Sequence, residues 1–293
     1  MNIFEKVLYM LQAEMETPKP FGWFHFMWIF LVIVSLVILY KKRNNYSEKQ
    51  LKIVLGTYGI IAFILELAKQ LIWSFNYDPI THAVTWDYQW YAAPFQFCTT
   101  PIFVCIICLF LKDIKIRNSL LSYMAFATIL GSIVTILLPD SCFISDILVN
   151  IHTMWLHCGS FVVSVYLLMA GVVKIEKQNL KSALKVFLVF VLLAEALNVF
   201  IYNSGILNGE TFNMFYISPY FITHLPVFKT IQENVPFIIY LLIYILAISI
   251  GAALVYFIAA SIKNKTSKKD TNNTKKNKNI EENTKKEKVT YNC

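Results

Sequence analysis

The chain has 293 residues, of which 57% are hydrophobic and only 15% charged. That balance excludes an ordinary soluble domain, which carries far more charge, and marks a polytopic membrane protein. The formal net charge of +8 gathers mostly after residue 262, where Lys, Asn and Thr dominate, so it belongs to a tail and no nucleic-acid partner is expected.

A hydrocarbon core about 30 Å thick requires roughly 20 largely apolar residues per helix. Seven segments meet that requirement, at 21–40, 51–75, 91–111, 118–138, 149–173, 184–203 and 234–262. They show little alternation of period two, which a membrane barrel would need, so the expected fold class is all-α. No short apolar core with a small-residue cleavage site precedes the first span, and that span is expected to direct its own insertion.

Cationic residues in short loops stay on the cytoplasmic side. Lys41, Lys42, Arg43, Lys49 and Lys52 lie between spans one and two, and Lys112, Lys115 and Arg117 between three and four. Lys174, Lys177, Lys181 and Lys185 lie between five and six, whereas the other two short loops, between two and three and between four and five, have none. The N-terminus is therefore expected outside and the C-terminus in the cytoplasm. The expected organisation is a seven-helix domain over 1–262 and a disordered Lys/Asn-rich tail over 263–293, attracted to anionic lipid headgroups. The Asn- and Lys-rich composition suits an AT-rich bacterium, and the expected location is its cytoplasmic membrane.

A charge near the bilayer centre costs about 2.5–3.5 kcal/mol on insertion scales, so each polar residue in a span asks for a partner or a cavity. In the second span Glu66, Lys69 and Gln70 share one helical face, in the outer half. The third enters from outside with Gln96, Cys98, Thr99 and Thr100 in its first turns, between Pro94 and Pro101. Pro101 lacks the N–H that would bond Phe97, and the two threonine hydroxyls are placed to satisfy freed carbonyls. In the fifth span Asn150, Thr153, His157, Ser160 and Ser164 form a polar stripe, and in the sixth Glu195, Asn198 and Tyr202 form another. This shared depth predicts a polar chamber beneath the outer surface.

Near the interface, His25 and His152 read as water-exposed, while His157 lies deeper. Cys98 faces nearly opposite Gln96 on an ideal wheel, but two prolines make the wheel untrustworthy there. A reactive thiol needs a nearby base or cation, and His157 and Lys69 share its layer. Cys105 and Cys108 lie in a wholly apolar run and read as packing residues. No metal or other cofactor is expected; His157, Glu66 and Glu195 are the one set resembling a carboxylate and histidine site.

Glu66 to Gln70, Pro94-Phe95-Gln96-Phe97-Cys98, His157-Cys158-Gly159, Asn198 and the segment from Asn213 to Pro219 together resemble the bacterial YwaF integral membrane proteins and the transmembrane protein 164 family. The likeness runs to about residue 262. It implies a compact bundle related to androgen-induced-gene-type lipid hydrolases and, for the eukaryotic members, acyl transfer onto phospholipid by a cysteine nucleophile. Carried over by position, Cys98 would be the nucleophile and His157 its base, with a membrane phospholipid or lysolipid as substrate. The chain departs from the family pattern at Ser218, where a basic residue is expected before Pro219, and in the Thr99-Thr100-Pro101 run.

On this reading Gln96, Thr99 or Asn198 donates to the oxyanion. Glu66, Lys69, Gln70, Tyr202 and Asn213 support the pocket. Glu195 orients His157 if spans five and six face each other. A transporter or proton-coupled solute-binding component is the alternative, since buried carboxylates and histidine also describe such a site, although that site belongs near the midplane. A retinal-type sensor is disfavoured by the lack of lysine in 234–262.

Overall fold

The computed structural model describes residues 2–43, 47–78, 80–139 and 142–265 in full, and 266–290 by backbone alone. It is all-helical apart from one short hairpin. The helices are α1 (Ile3–Leu11), α2 (Trp23–Lys42), α3 (Glu48–Ile72), α4 (Thr100–Phe110), α5 (Ile114–Tyr123), α6 (Ile129–Leu137), α7 (Ile147–Met169), α8 (Lys177–Asn203), α9 (Pro226–Asn234) and α10 (Phe237–Thr290). The basic tail expected over 263–293 lies, beyond Lys265, outside the described side chains.

Among the described residues six helical segments are long and apolar enough to cross a membrane: α2, α3, Ile114–Leu137, α7, α8 and the Phe237–Lys265 part of α10. The expectation of seven such helices is therefore corrected at the third. There α4 has 11 residues, or about 16 Å of rise, well short of a hydrocarbon core. The prolines explain this. Pro101 occupies the first turn of α4, where its missing N–H costs nothing, and the residues before it, from Ala93 to Thr99, are held as turns and bends. This irregular stretch and α4 run antiparallel to α3, with Ala92 beside Gln70, Cys105 against Gly59 and Leu109 against Gly56.

Local chemistry sets the helix ends. Ser47, Asp113 and Asp146 cap α3, α5 and α7 by accepting from backbone N–H groups one turn on. Between α5 and α6 a π turn, Met124–Thr128, is wholly buried. The Met124 carbonyl accepts there from the hydroxyls of both Thr128 (3.0 Å) and Ser164 (2.8 Å). Hydroxyls of this kind replace the ladder bond that an expanded turn loses.

Three elements were not expected. α1 opens with a reciprocal cap between Asn2 and Glu5 and packs on α3. A hairpin, β1 (Phe75–Tyr77) paired antiparallel with β2 (Val84–Trp86), occupies the connection after α3. α9 starts at Pro226. At the basic end of the bundle Arg117 meets Glu48 at 2.7 Å and Asn118 donates to Asn179 at 2.9 Å, joining α3, α5 and α8. The core between the helices is aromatic: Phe97 meets Tyr123, Phe187 and Phe215 edge-on, an arrangement ring quadrupoles favour.

Candidate functional site

The polar residues of α3 gather as their spacing suggested, and α7 adds a residue. Glu66 is buried; its Oε1 accepts from Lys69 Nζ and Gln70 Nε2, each at 2.8 Å. Its Oε2 lies 2.8 Å from His152 Nε2, an ion-pair contact whose alignment falls short of a hydrogen bond. Gln70 also donates to the Ala92 carbonyl and accepts from the Tyr88 hydroxyl. Helix α3, the irregular entry to α4 and α7 thus meet at one carboxylate.

The histidine readings need correction at two positions. His152 was expected to be wet; it is 4% exposed and committed to Glu66. Depth alone placed it near the interface, and nothing local in the sequence signals a carboxylate 86 positions earlier. His25, also expected wet, is fully buried, with Nδ1 accepting from the Phe21 N–H (3.0 Å) and Nε2 2.8 Å from the Ile136 carbonyl. Its job is to hold the start of α2 against the end of α6.

A second group of polar residues is consumed by backbone. Gln96 donates through Nε2 to the Asn213 carbonyl and accepts through Oε1 from the Phe215 N–H, both at 2.9 Å. Asn198, fully buried, accepts from the Met214 N–H at 2.7 Å and donates to the Met214 carbonyl at 3.1 Å. Asn213 itself spans the Ser218 N–H and the Phe221 carbonyl. The reason lies in the 213–217 segment, where Phe215 and Tyr216 both adopt positive φ (57° and 61°). A non-glycine residue there is strained and needs its surroundings to hold it. Buried irregular backbone is tolerated only when other protein groups satisfy its N–H and carbonyl groups.

The threonines play the structural part expected of them. Thr100 donates to the Phe97 carbonyl at 2.8 Å and pairs with the Tyr123 hydroxyl at 2.7 Å. Thr99 accepts from the Gln96 N–H and reaches the Gln96 carbonyl. Thus Gln96, Thr99 and Asn198, expected as oxyanion donors, each already donate to a backbone carbonyl.

Cys98 lies between these two groups. It is within electrostatic reach of Glu66 and Lys69 on one side and of Tyr216, Tyr123 and Cys142 on others. His157 is buried on α7, five residues after His152, and makes no hydrogen bond among the described residues. No hydrogen bond joins Cys98 to His157 among the described residues. The α7 stripe divides: Asn150 closes the 144–150 turn through the Ile144 N–H and carbonyl, and Ser164 serves the π turn.

Glu195 does not orient His157. Helix α8 packs on α5, α10 and the π turn rather than facing α7, and Glu195 interacts with Asn198 on its own helix. Nor do His157, Glu66 and Glu195 form a metal-binding group: no cluster of three such ligands occurs among the described residues. Tyr202 is partly exposed and stacks on Tyr220, with centroids 3.6 Å apart.

Six long apolar helices around buried polar clusters define a multi-pass integral membrane protein. The chain belongs to the TMEM164 family, whose model matches residues 20–256, a stretch that includes every residue of the Glu66 and Cys98 groups. No curated protein and no solved structure matches it.

Proposed function

We propose that the protein is a membrane-embedded lipid acyltransferase or acyl hydrolase in which Cys98 is the nucleophile, oriented with its N-terminus outside and its C-terminus in the cytoplasm, the irregular 93–99 stretch and α4 together making the third of seven crossings. The observation that carries this reading is that Cys98 lies within electrostatic reach of a buried Glu66–Lys69 ion pair, in the stretch where the third segment is not helical. A thiolate taken out of water needs a cation nearby, and Lys69 is one.

His157 is the base. A general base needs a free ring nitrogen, and His157 makes no hydrogen bond among the described residues; His152 keeps an unpartnered Nδ1, but its ring is held by Glu66 through Nε2. His157 takes the thiol proton, Cys98 Sγ attacks the ester carbonyl of a phospholipid, and the alkoxide leaves with a proton from His157. Water or a lysolipid hydroxyl then attacks the thioester and regenerates the thiol. Glu66 and His152 hold Lys69 in place. The clamp of Gln96, Asn198 and Asn213 fixes the backbone beside Cys98.

Membranes containing the full chain are treated with a thiol-reactive lipid analogue, comparing the natural chain with Cys98→Ala, His157→Ala and His152→Ala. Labelling should require Cys98 and fall at least about a hundredfold in His157→Ala, the lower end of what a general base contributes. Equal labelling at Cys105 or Cys158, or labelling of Cys98 indifferent to both histidines, refutes the assignment.

A further inference from the structure

At the end of the bundle remote from Cys98, α2, α6, α7 and α10 leave a crevice of about 1090 Å³. Its walls are apolar, built by Ile129, Phe161, Leu168 and Ile258 among others. Ligand cavities of about 300–1,000 Å³ hold drug-sized molecules, so this one has room for long hydrocarbon chains. Its membrane-end chemistry changes abruptly. Arg43 after α2, Lys174 after α7 and Lys263 on α10 all line it, and no carboxylate among the described residues does.

The three cations come from three separate parts of the chain, so no local sequence feature accounts for their meeting. Arg43 is held in place: its guanidinium lies 3.7 Å above the Tyr40 ring and donates to the Tyr40 carbonyl at 2.9 Å. Stacking of this kind directs the fork without neutralising its charge. Beside Lys174, Gly171 has φ +69° and nothing within 4 Å of where a side chain would begin, which keeps the mouth open.

We infer that this crevice binds a phospholipid with an anionic headgroup, its acyl chains between α7 and α10 and its phosphate among Arg43, Lys174 and Lys263. Apolar walls select a lipid over a soluble anion; three cations with no ion pair among the described residues select an anionic headgroup over a zwitterionic one. Basic pockets between membrane helices bind acidic lipids by this combination. The inference is independent of the chemistry at Cys98.

The test uses the full chain in nanodiscs holding equal parts of phosphatidylglycerol and phosphatidylcholine, followed by extraction in mild detergent and mass spectrometry of the lipid retained. Phosphatidylglycerol should be retained in preference. In R43Q/K174Q/K263Q that preference should fall by about tenfold or more, since each cation near a lipid surface contributes severalfold. A259W fills the crevice while keeping all three cations, and should also lose the lipid. Retention of both lipids equally by the natural chain overturns the inference, and that arm needs no variant. So does unchanged retention in a variant whose melting temperature matches the natural chain. Displacement by soluble glycerophosphoglycerol as readily as by lipid would reduce the site to a phosphate contact and refute the role of the walls.

Discussion

Replacing Glu66 by Gln keeps the side chain's shape and removes the charge at the centre of the α3–α7 contact. Lys69 and His152 are each within 2.8 Å of that carboxylate, and their side chains are only 12% and 5% exposed. Breaking one partner of a buried ion pair costs about 3–5 kcal/mol, because the remaining charge is left without water or counter-ion. The new amide N–H₂ would also face either the Lys69 ammonium or the His152 nitrogen. For a chain of this size about 2–4 °C of melting temperature accompanies each kcal/mol, so Glu66→Gln should melt roughly 6–20 °C lower. The assay is thermal unfolding of the purified protein in detergent. The double variant Glu66→Gln/Lys69→Met removes both charges and should recover a coupling energy of about 2–3 kcal/mol. If each single variant melts within about 2 °C of the natural chain and the double is additive, the carboxylate is not the tie between these helices.

Thr100→Val leaves the Phe97 carbonyl and the Tyr123 hydroxyl unpaired and should cost about 1–3 kcal/mol; Thr100→Ser should recover most of it, read as melting temperature. Asn198→Leu frees the Met214 N–H and leaves its carbonyl with the Ile217 N–H alone. It should raise the rate of proteolysis within the 209–225 connection, and unchanged digestion would show that other contacts hold the positive-φ turn. Gly159→Ala would put its Cβ 2.5 Å from the ring of Tyr58, whose hydroxyl is fixed on the Leu156 carbonyl. Overpacking of that kind costs about 1–3 kcal/mol. Gly131→Ala meets only the Phe97 ring at 3.5 Å and should be tolerated, so similar melting of the two variants would contradict the packing.

Apolar run length was enough to identify the membrane class and to locate six long helices, because a bilayer demands roughly 20 apolar residues per crossing whatever surrounds them. The grouping of Glu66, Lys69 and Gln70 was equally legible, since i, i+3 and i+4 neighbours are set by the helix itself. So was the pairing of Thr100 with Phe97, which follows from the missing N–H of Pro101. What lay beyond local geometry was decided by the tertiary structure. His152 and His25 are buried because carboxylate and carbonyl partners arrive from other helices. Glu195 misses His157 because α8 packs on α5. The amides of Gln96 and Asn198 serve strained backbone at 213–216 rather than an open chamber. Arg43, Lys174 and Lys263 share one crevice only because α2, α7 and α10 are brought together by the fold. A depth along one helix says which layer a residue occupies, but rotation and helix order, set by packing across the whole bundle, choose its neighbour.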